Sequence, residues 1–128
     1  MYYVTDTHAF LWYLLDSPKL SKKVWSVFES VERGNAVLIL SVIVLLECID
    51  IFDKKKVAGS FEEIISKITQ SSNFLVSELD LRLTLEVNQT KGLRDLHDRV
   101  LVATAKRFDA PLISKDAVIR TYYPRTVW

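Results

Sequence analysis

Four acidic side chains, Asp6, Glu47, Asp98 and Asp116, hold positions in this 128-residue chain from which they could do chemistry together. Asp6 closes the β-branched and aromatic run from Tyr2 to Thr5. Asp116 follows the apolar run ending at Ser114, with one residue between. Asp98 lies in the first turn of a helical stretch opened by Asp95. Glu47 lies in the second turn of a helix that follows the run from Val37 to Leu40. Clustered carboxylates repel and raise one another's pKa. Stable packing of four calls for a hard divalent cation, and Mg²⁺ takes oxygen ligands while keeping several waters. Such an ion can activate a water and bind a phosphate oxygen, as phosphodiester hydrolysis requires. Ile43 and Leu46 near Glu47 are apolar, so its carboxylate is expected to point inward, where an unpaired charge is costly. Each acid also has a plain structural role open to it. Asp6, Asp95 and Asp116 can cap helices, Asp98 can favour a helix dipole, and Glu47 can form an ion pair. Spacing and periodicity alone lead to an acidic pocket, with a metal as one option.

Other chemistries find less support. His8 and His97 are poorly spaced for a zinc site, and Cys48 is the only cysteine, so neither a thiolate cage nor a disulfide framework is expected. Cys48 reads as a buried free thiol. There is no Gly-rich phosphate loop and no Ser in a nucleophile-elbow setting. An aspartyl phosphotransferase would carry a second Asp two residues after Asp6, where His8 stands. The net charge of +1 excludes a generally cationic nucleic-acid coat. Any attraction for a polyanion must be local, and Arg99, next to Asp98, is the better candidate, ahead of Lys115. An ion pair with Asp95 is its competing role. Lys54-Lys55-Lys56 reads as a solvated turn. Phe10, Trp12 and Tyr13 could stack bases but suit a core or an interface better.

The elements that must position these groups alternate. Strands are expected over Tyr2 to Thr5, Val37 to Leu40, Phe74 to Val76 and Pro111 to Ser114, with an edge strand at Val127-Trp128. Helices are expected from His8 to Leu15, after Ser21, from Ser41 to about Phe52, from Phe61 to Gln70, from Leu79 to Gln89 and from Asp95 to Phe108, with a short one opened by Asp116. The alternation implies an α/β fold, a mainly parallel sheet with helices on both faces. Functional groups in such sheets gather beyond the carboxyl ends of the strands. With 49% hydrophobic and 26% charged residues and three each of Gly and Pro, residues 1–128 read as one domain with no linker. The longest apolar run, Val42 to Leu46, is far too short to span a membrane, and the first run meets an acid at once, so neither a membrane anchor nor a secretory leader is expected. A cytoplasmic setting fits.

Four motifs then carry a resemblance. Val4-Thr5-Asp6-Thr7-His8-Ala9 resembles the opening motif of PIN-domain nucleases. Ser41 followed by Glu47 in a leucine-rich helix resembles the second, the segment from Arg94 through Asp95 and Asp98 to Ala105 the third, and Leu112-Ile113-Ser114-Lys115-Asp116 the fourth. They span nearly the whole chain in the expected order, and the nearest likeness is to VapC-type toxins of toxin–antitoxin pairs. The resemblance implies a three-layer α/β/α sandwich, an Mg²⁺ or Mn²⁺ site held by Asp6, Glu47, Asp98 and Asp116, and cleavage of RNA. Ser114 stands where relatives often carry Thr, and its hydroxyl could bond a carboxylate. Asp95 and Arg99 would support the site. Glu47 would orient or deprotonate the attacking water. A homodimer and a small antitoxin that blocks the site are also implied. Leu96 replaces a common Pro, and His97 a common aromatic. The alternative is the same fold with a spent site, acting as a protein- or RNA-binding module.

Overall fold

The computed structural model describes residues 1–128. Its strands are β1 (Tyr2–Thr5), β2 (Val37–Ser41), β3 (Phe74–Ser77), β4 (Leu112–Ile113) and β5 (Thr126–Val127). Its helices are α1 (Thr7–Leu14), α2 (Lys22–Glu32), α3 (Val42–Asp53), α4 (Phe61–Gln70), α5 (Leu81–Gln89), α6 (Leu96–Arg107) and α7 (Ala117–Tyr122). The strands form one parallel sheet in the order β3-β2-β1-β4-β5, flanked by helices in three α/β/α layers. Val4 on the central strand registers with Ile39 of β2 and with Leu112 of β4.

Burial explains the strand sequences. Val4, Leu38, Ile39, Leu40, Leu112 and Ile113 are all fully buried. A strand covered on both faces needs a continuous apolar run instead of an alternating one. Helix residues complete that core. Phe10 of α1, Phe28 of α2, Ile64 of α4 and Ile119 of α7 join the strand residues in one cluster. Tyr13 stacks flat on Phe28 with ring centroids 4.2 Å apart, so Phe10 and Tyr13 are core residues. Trp12 packs edge-on against Trp128 at 5.7 Å. The aromatics after Asp6 are thereby occupied in packing.

Local signals set most boundaries. Ser21, Ser41, Ser60 and Asp80 each accept a backbone N–H from the first turn of the helix they precede. The helix expected from Leu79 begins at Leu81, because the Asp80 carboxylate accepts the Leu83 N–H at 2.8 Å and holds Asp80 itself in extended backbone. The edge strand includes Thr126 and stops before Trp128. No helix is long and apolar enough to cross a membrane.

The sheet order carries the functional consequence. The chain runs outward from β1 through β2 to β3, then returns to the other side of β1 to lay down β4 and β5. A crevice therefore opens beyond the carboxyl ends of β1 and β4, where the winding reverses. Asp6 and Ser114 are the first residues past those two ends.

Candidate active site

Three helices begin at this crevice, and each is capped by an aspartate. The Asp6 carboxylate accepts the Ala9 N–H at 2.8 Å, Asp95 accepts the Asp98 N–H at 3.0 Å, and Asp116 accepts the Ile119 N–H at 2.8 Å. The capping roles open to these residues are thus all filled. Each cap uses one carboxylate oxygen and leaves lone pairs free. The caps also aim three helix N-termini at one place, where partial positive charge offsets part of the carboxylate repulsion.

Asp6, Glu47, Asp95, Asp98 and Asp116 line one pocket of about 270 Å³, with Thr7, His8, His97, Leu101 and Ile119 completing the wall. The four acids singled out from the sequence are therefore neighbours around a shared space, and Asp95 joins them. No lysine or arginine lines it. The electrostatics follow. Burial and the charges of Asp95, Asp116, Glu47 and Asp6, in that order, push the Asp98 carboxyl up to about 6. Burial also raises Asp6, opposed by hydrogen bonding to Ser114 and Ala9 and by nearby His8, while Glu47 adds to the rise. Ser114 is fully buried and serves both strand-end aspartates, since its hydroxyl also accepts the Asp116 N–H at 3.1 Å.

Glu47 departs from the expected arrangement. Its side chain is 27% exposed, and its Oε1 lies 3.1 Å from His97 Nδ1. Leu46 is itself half-exposed. Successive residues point about 100° apart around a helix, so an apolar sequence neighbour need not share a face. The side chain nearest its carboxylate is an imidazole at the pocket rim.

Arg99 does not line the pocket. Its Nε donates to the Leu93 carbonyl, which occupies part of the guanidinium in holding the loop before α6. Gly92 in that loop has φ near +100°, and a Cβ there would stand 3.2 Å from the Tyr122 ring, so the approach of loop to α7 requires glycine. Lys115 is exposed beside Asp116 and does not line the pocket either. Cys48 is buried, its thiol pushed up to about 12 by desolvation and by Glu47, which removes it as a nucleophile.

Thr7, His8, His97, Leu101 and Ile119 are wall residues that were not among the candidates from the sequence, and Thr7 and His97 are the ones with unabsorbed polar groups at the pocket. His97 could have been found from its place between Asp95 and Asp98 in a first helical turn. Thr7 carries no such signal. Its side chain is nearly fully buried, and its Oγ1 has no hydrogen-bond partner. An orphaned buried hydroxyl costs roughly 1–3 kcal/mol, which a polar ligand in the pocket would offset.

These observations test whether a hard cation fits. The donors are carboxylate oxygens, the unfavourable term is excess negative charge, and a wall hydroxyl lacks a partner. All three favour Mg²⁺ or Mn²⁺ over a softer ion. The side chains do not chelate ready-made, however. No three His, Cys, Asp or Glu side chains converge closely enough to clasp one ion. The residues therefore fit an ion that keeps part of its water shell and is held by the acids across the pocket.

The PIN domain family matches residues 3–123 of the chain. No curated protein sequence matches it. Several solved structures share its fold. A toxin-antitoxin complex from Klebsiella pneumoniae superposes with a TM-score of 0.65 at 17% identity, over 98% of this chain and 95% of that one. FitAcB from Neisseria gonorrhoeae gives a TM-score of 0.65 at 16% identity, over 98% and 96%. VapBC2 from Rickettsia felis, bound to a DNA fragment from its promoter, gives 0.65 at 18% identity, over 99% and 96%. At these identities the likeness speaks for the fold.

Proposed function

From the premise that this chain belongs to the PIN-domain family, we propose that it is a metal-dependent ribonuclease and the toxin of a toxin–antitoxin pair. One observation carries the nuclease reading: five carboxylates surround a single pocket at the sheet's winding switch, with two histidines but no lysine or arginine among them. Such a site is electrostatically incomplete, and a divalent cation completes it.

Asp6, Asp98 and Asp116 would hold the ion, with Glu47 beside them. When bound, Mg²⁺ or Mn²⁺ supplies Lewis-acid neutralisation for a phosphodiester and acidifies a water. Glu47 orients the attacking water and accepts its proton. The Ser114 hydroxyl and the Ala9 N–H hold the Asp6 carboxylate, so its free lone pairs stay aimed at the pocket. Asp95 fixes the first turn of α6 through the Asp98 N–H and so sets where Asp98 stands. The Thr7 hydroxyl gives a polar ligand a donor that nothing in the protein occupies.

The toxin role is supported by the full-length fold likeness to the Klebsiella pneumoniae toxin-antitoxin complex. A small antitoxin and a second copy of the chain are the partners this reading entails. The test is cleavage of end-labelled single-stranded RNA with Mg²⁺ or Mn²⁺, with and without chelator, by the natural protein and by Asp6→Asn. Metal-dependent cleavage lost in the variant is expected. Equal cleavage by both proteins rejects the assignment.

A second reading, a binding module with a spent site, is favoured by the absence of a ready-made chelating trio. It predicts no thermal shift with Mn²⁺, whereas the nuclease reading predicts a rise.

A further inference from the structure

The five carboxylates of the pocket are not equivalent in their partners. Asp6, Asp95 and Asp116 accept backbone N–H groups at helix starts. Glu47 alone is approached by a side chain of the pocket wall, His97 Nδ1 at 3.1 Å, whereas the Ser114 hydroxyl that bonds Asp6 lies outside that wall. Glu47 belongs to α3 and His97 to the first turn of α6, so this contact ties two helices together across the pocket mouth. His97 is 53% exposed, too open for the pair to contribute much to folding. With one oxygen drawn to within 3.1 Å of the imidazole, Glu47 has its other oxygen freer to turn toward the pocket.

We propose that His97 is a positioning residue that restrains Glu47 as the outer member of the acid set, available to a water but withheld from full collapse onto the cation. The argument is one of degrees of freedom. A glutamate has three side-chain torsions, and a carboxylate facing a divalent ion gains Coulomb energy by closing on it with both oxygens. A base bound that way has lost the lone pair it needs to orient water or take its proton. Polar partners of metal-site ligands fix their direction, and a partner on one carboxylate oxygen also opposes closure on an ion by both. The Nδ1 contact does so here, and it leaves the ring's Nε2 uncommitted.

The consequence has an unusual sign. Removing His97 releases Glu47, so the ion should be held more tightly while turnover falls. A merely structural residue would weaken both together. The activity arm rests on the nuclease reading, whereas the metal arm requires no RNA.

The experiment measures Mn²⁺ binding by electron paramagnetic resonance on the full chain, for the natural protein, His97→Ala, His97→Asn, Glu47→Ala and the double Glu47→Ala/His97→Ala. Melting temperature is recorded for each. His97→Ala should bind Mn²⁺ several-fold more tightly, and the gain should vanish in the Glu47→Ala background. His97→Asn, whose amide can stand where Nδ1 does, should restore natural affinity. In RNA cleavage, His97→Ala should lose about tenfold in kcat with KM little changed.

Weaker or unchanged Mn²⁺ binding in His97→Ala overturns the proposal. So does a tightening that persists without Glu47, since that would be a through-space effect of the ring. A rise in KM at constant kcat would make His97 a substrate contact instead, and would also overturn it. If the natural protein cleaves no RNA with any divalent ion, the nuclease reading fails, and the Mn²⁺ arm still decides whether His97 restrains Glu47.

Discussion

Asp80 and Asp98 both sit at the start of a helix, yet their surroundings drive them in opposite directions. Asp80 caps α5 and receives both guanidinium nitrogens of Arg107, at 2.7 and 3.3 Å. That hydrogen bonding, with the Leu83 N–H and the nearby charge of Arg82, holds its carboxyl below the usual range. Asp98, in the first turn of α6, has four carboxylates around it and is pushed up to about 6. A helix start by itself therefore says little about what an aspartate does. The neighbours decide: Asp80 meets guanidinium groups, whereas Asp98 meets other carboxylates. The Asp80 carboxylate finds its counter-charge within the protein, whereas Asp98 finds only like charge there.

The strongest way to break this comparison is to neutralise each acid in turn. Asp98→Asn and Asp6→Asn should lower RNA cleavage by about 10²-fold or more, the scale of losing an essential polar group of the reaction. Asp80→Asn should leave cleavage intact. Equal losses in both regions would remove the distinction.

A next test uses pH. The folded-state pKa of Asp98 lies above the ordinary carboxylate value, so the folded protein binds more protons than the unfolded chain between roughly pH 4 and 6. Stability then falls as pH rises through that window and stays lower above it. The melting temperature of metal-free protein should follow this course. Asp98→Asn should flatten it, and saturating Mn²⁺ should restore stability above pH 6. Asp80 has the reverse sign. Its lowered pKa adds stability at neutral pH that is lost as pH falls through its folded value. A melting profile that does not respond to Asp98→Asn would show that the carboxylate cluster carries no net strain.

Thr7→Val sharpens the comparison at a single atom. It removes an orphaned buried hydroxyl at constant shape, so the metal-free protein should be unchanged or more stable by up to about 1 kcal/mol in denaturant unfolding. Cleavage should slow. A marked loss of stability would mean the hydroxyl has a partner within the fold.

The smallest effect is expected from Arg107→Ala. The pair with Asp80 is partly exposed, so it should lower the melting temperature only slightly and leave cleavage alone. A large loss of activity would link the two regions.

Much of this was legible in the residues. The apolar runs at Val37 to Leu40 and Pro111 to Ser114 lack polar alternation, and that continuity marks strands buried on both faces. Ser21, Ser41 and Asp95 announced helix starts because a short oxygen-bearing side chain before a helical run has one common use. Asp6 and Asp116 were legible as residues of one shared pocket because strand ends in parallel sheets share one edge. Glu47 was harder. Its helix was evident, but its partner His97 lies 50 positions further on, and nothing local links them. Arg99 lies outside the pocket lining because adjacency to Asp98 in sequence becomes divergence on a helix. Thr7 was invisible, since a missing hydrogen bond cannot be read from composition.

The sequence by itself determined the alternation of strands and helices, the parallel sheet, and the residues at its carboxyl edge, because these depend on periodicity, capping and burial within short windows. Only the tertiary structure decided that β4 returns beside β1, that five carboxylates then face one pocket lined by no lysine or arginine, and that His97 rather than another group approaches Glu47. Those outcomes depend on distances between segments far apart along the chain, and pairwise electrostatics acts through space.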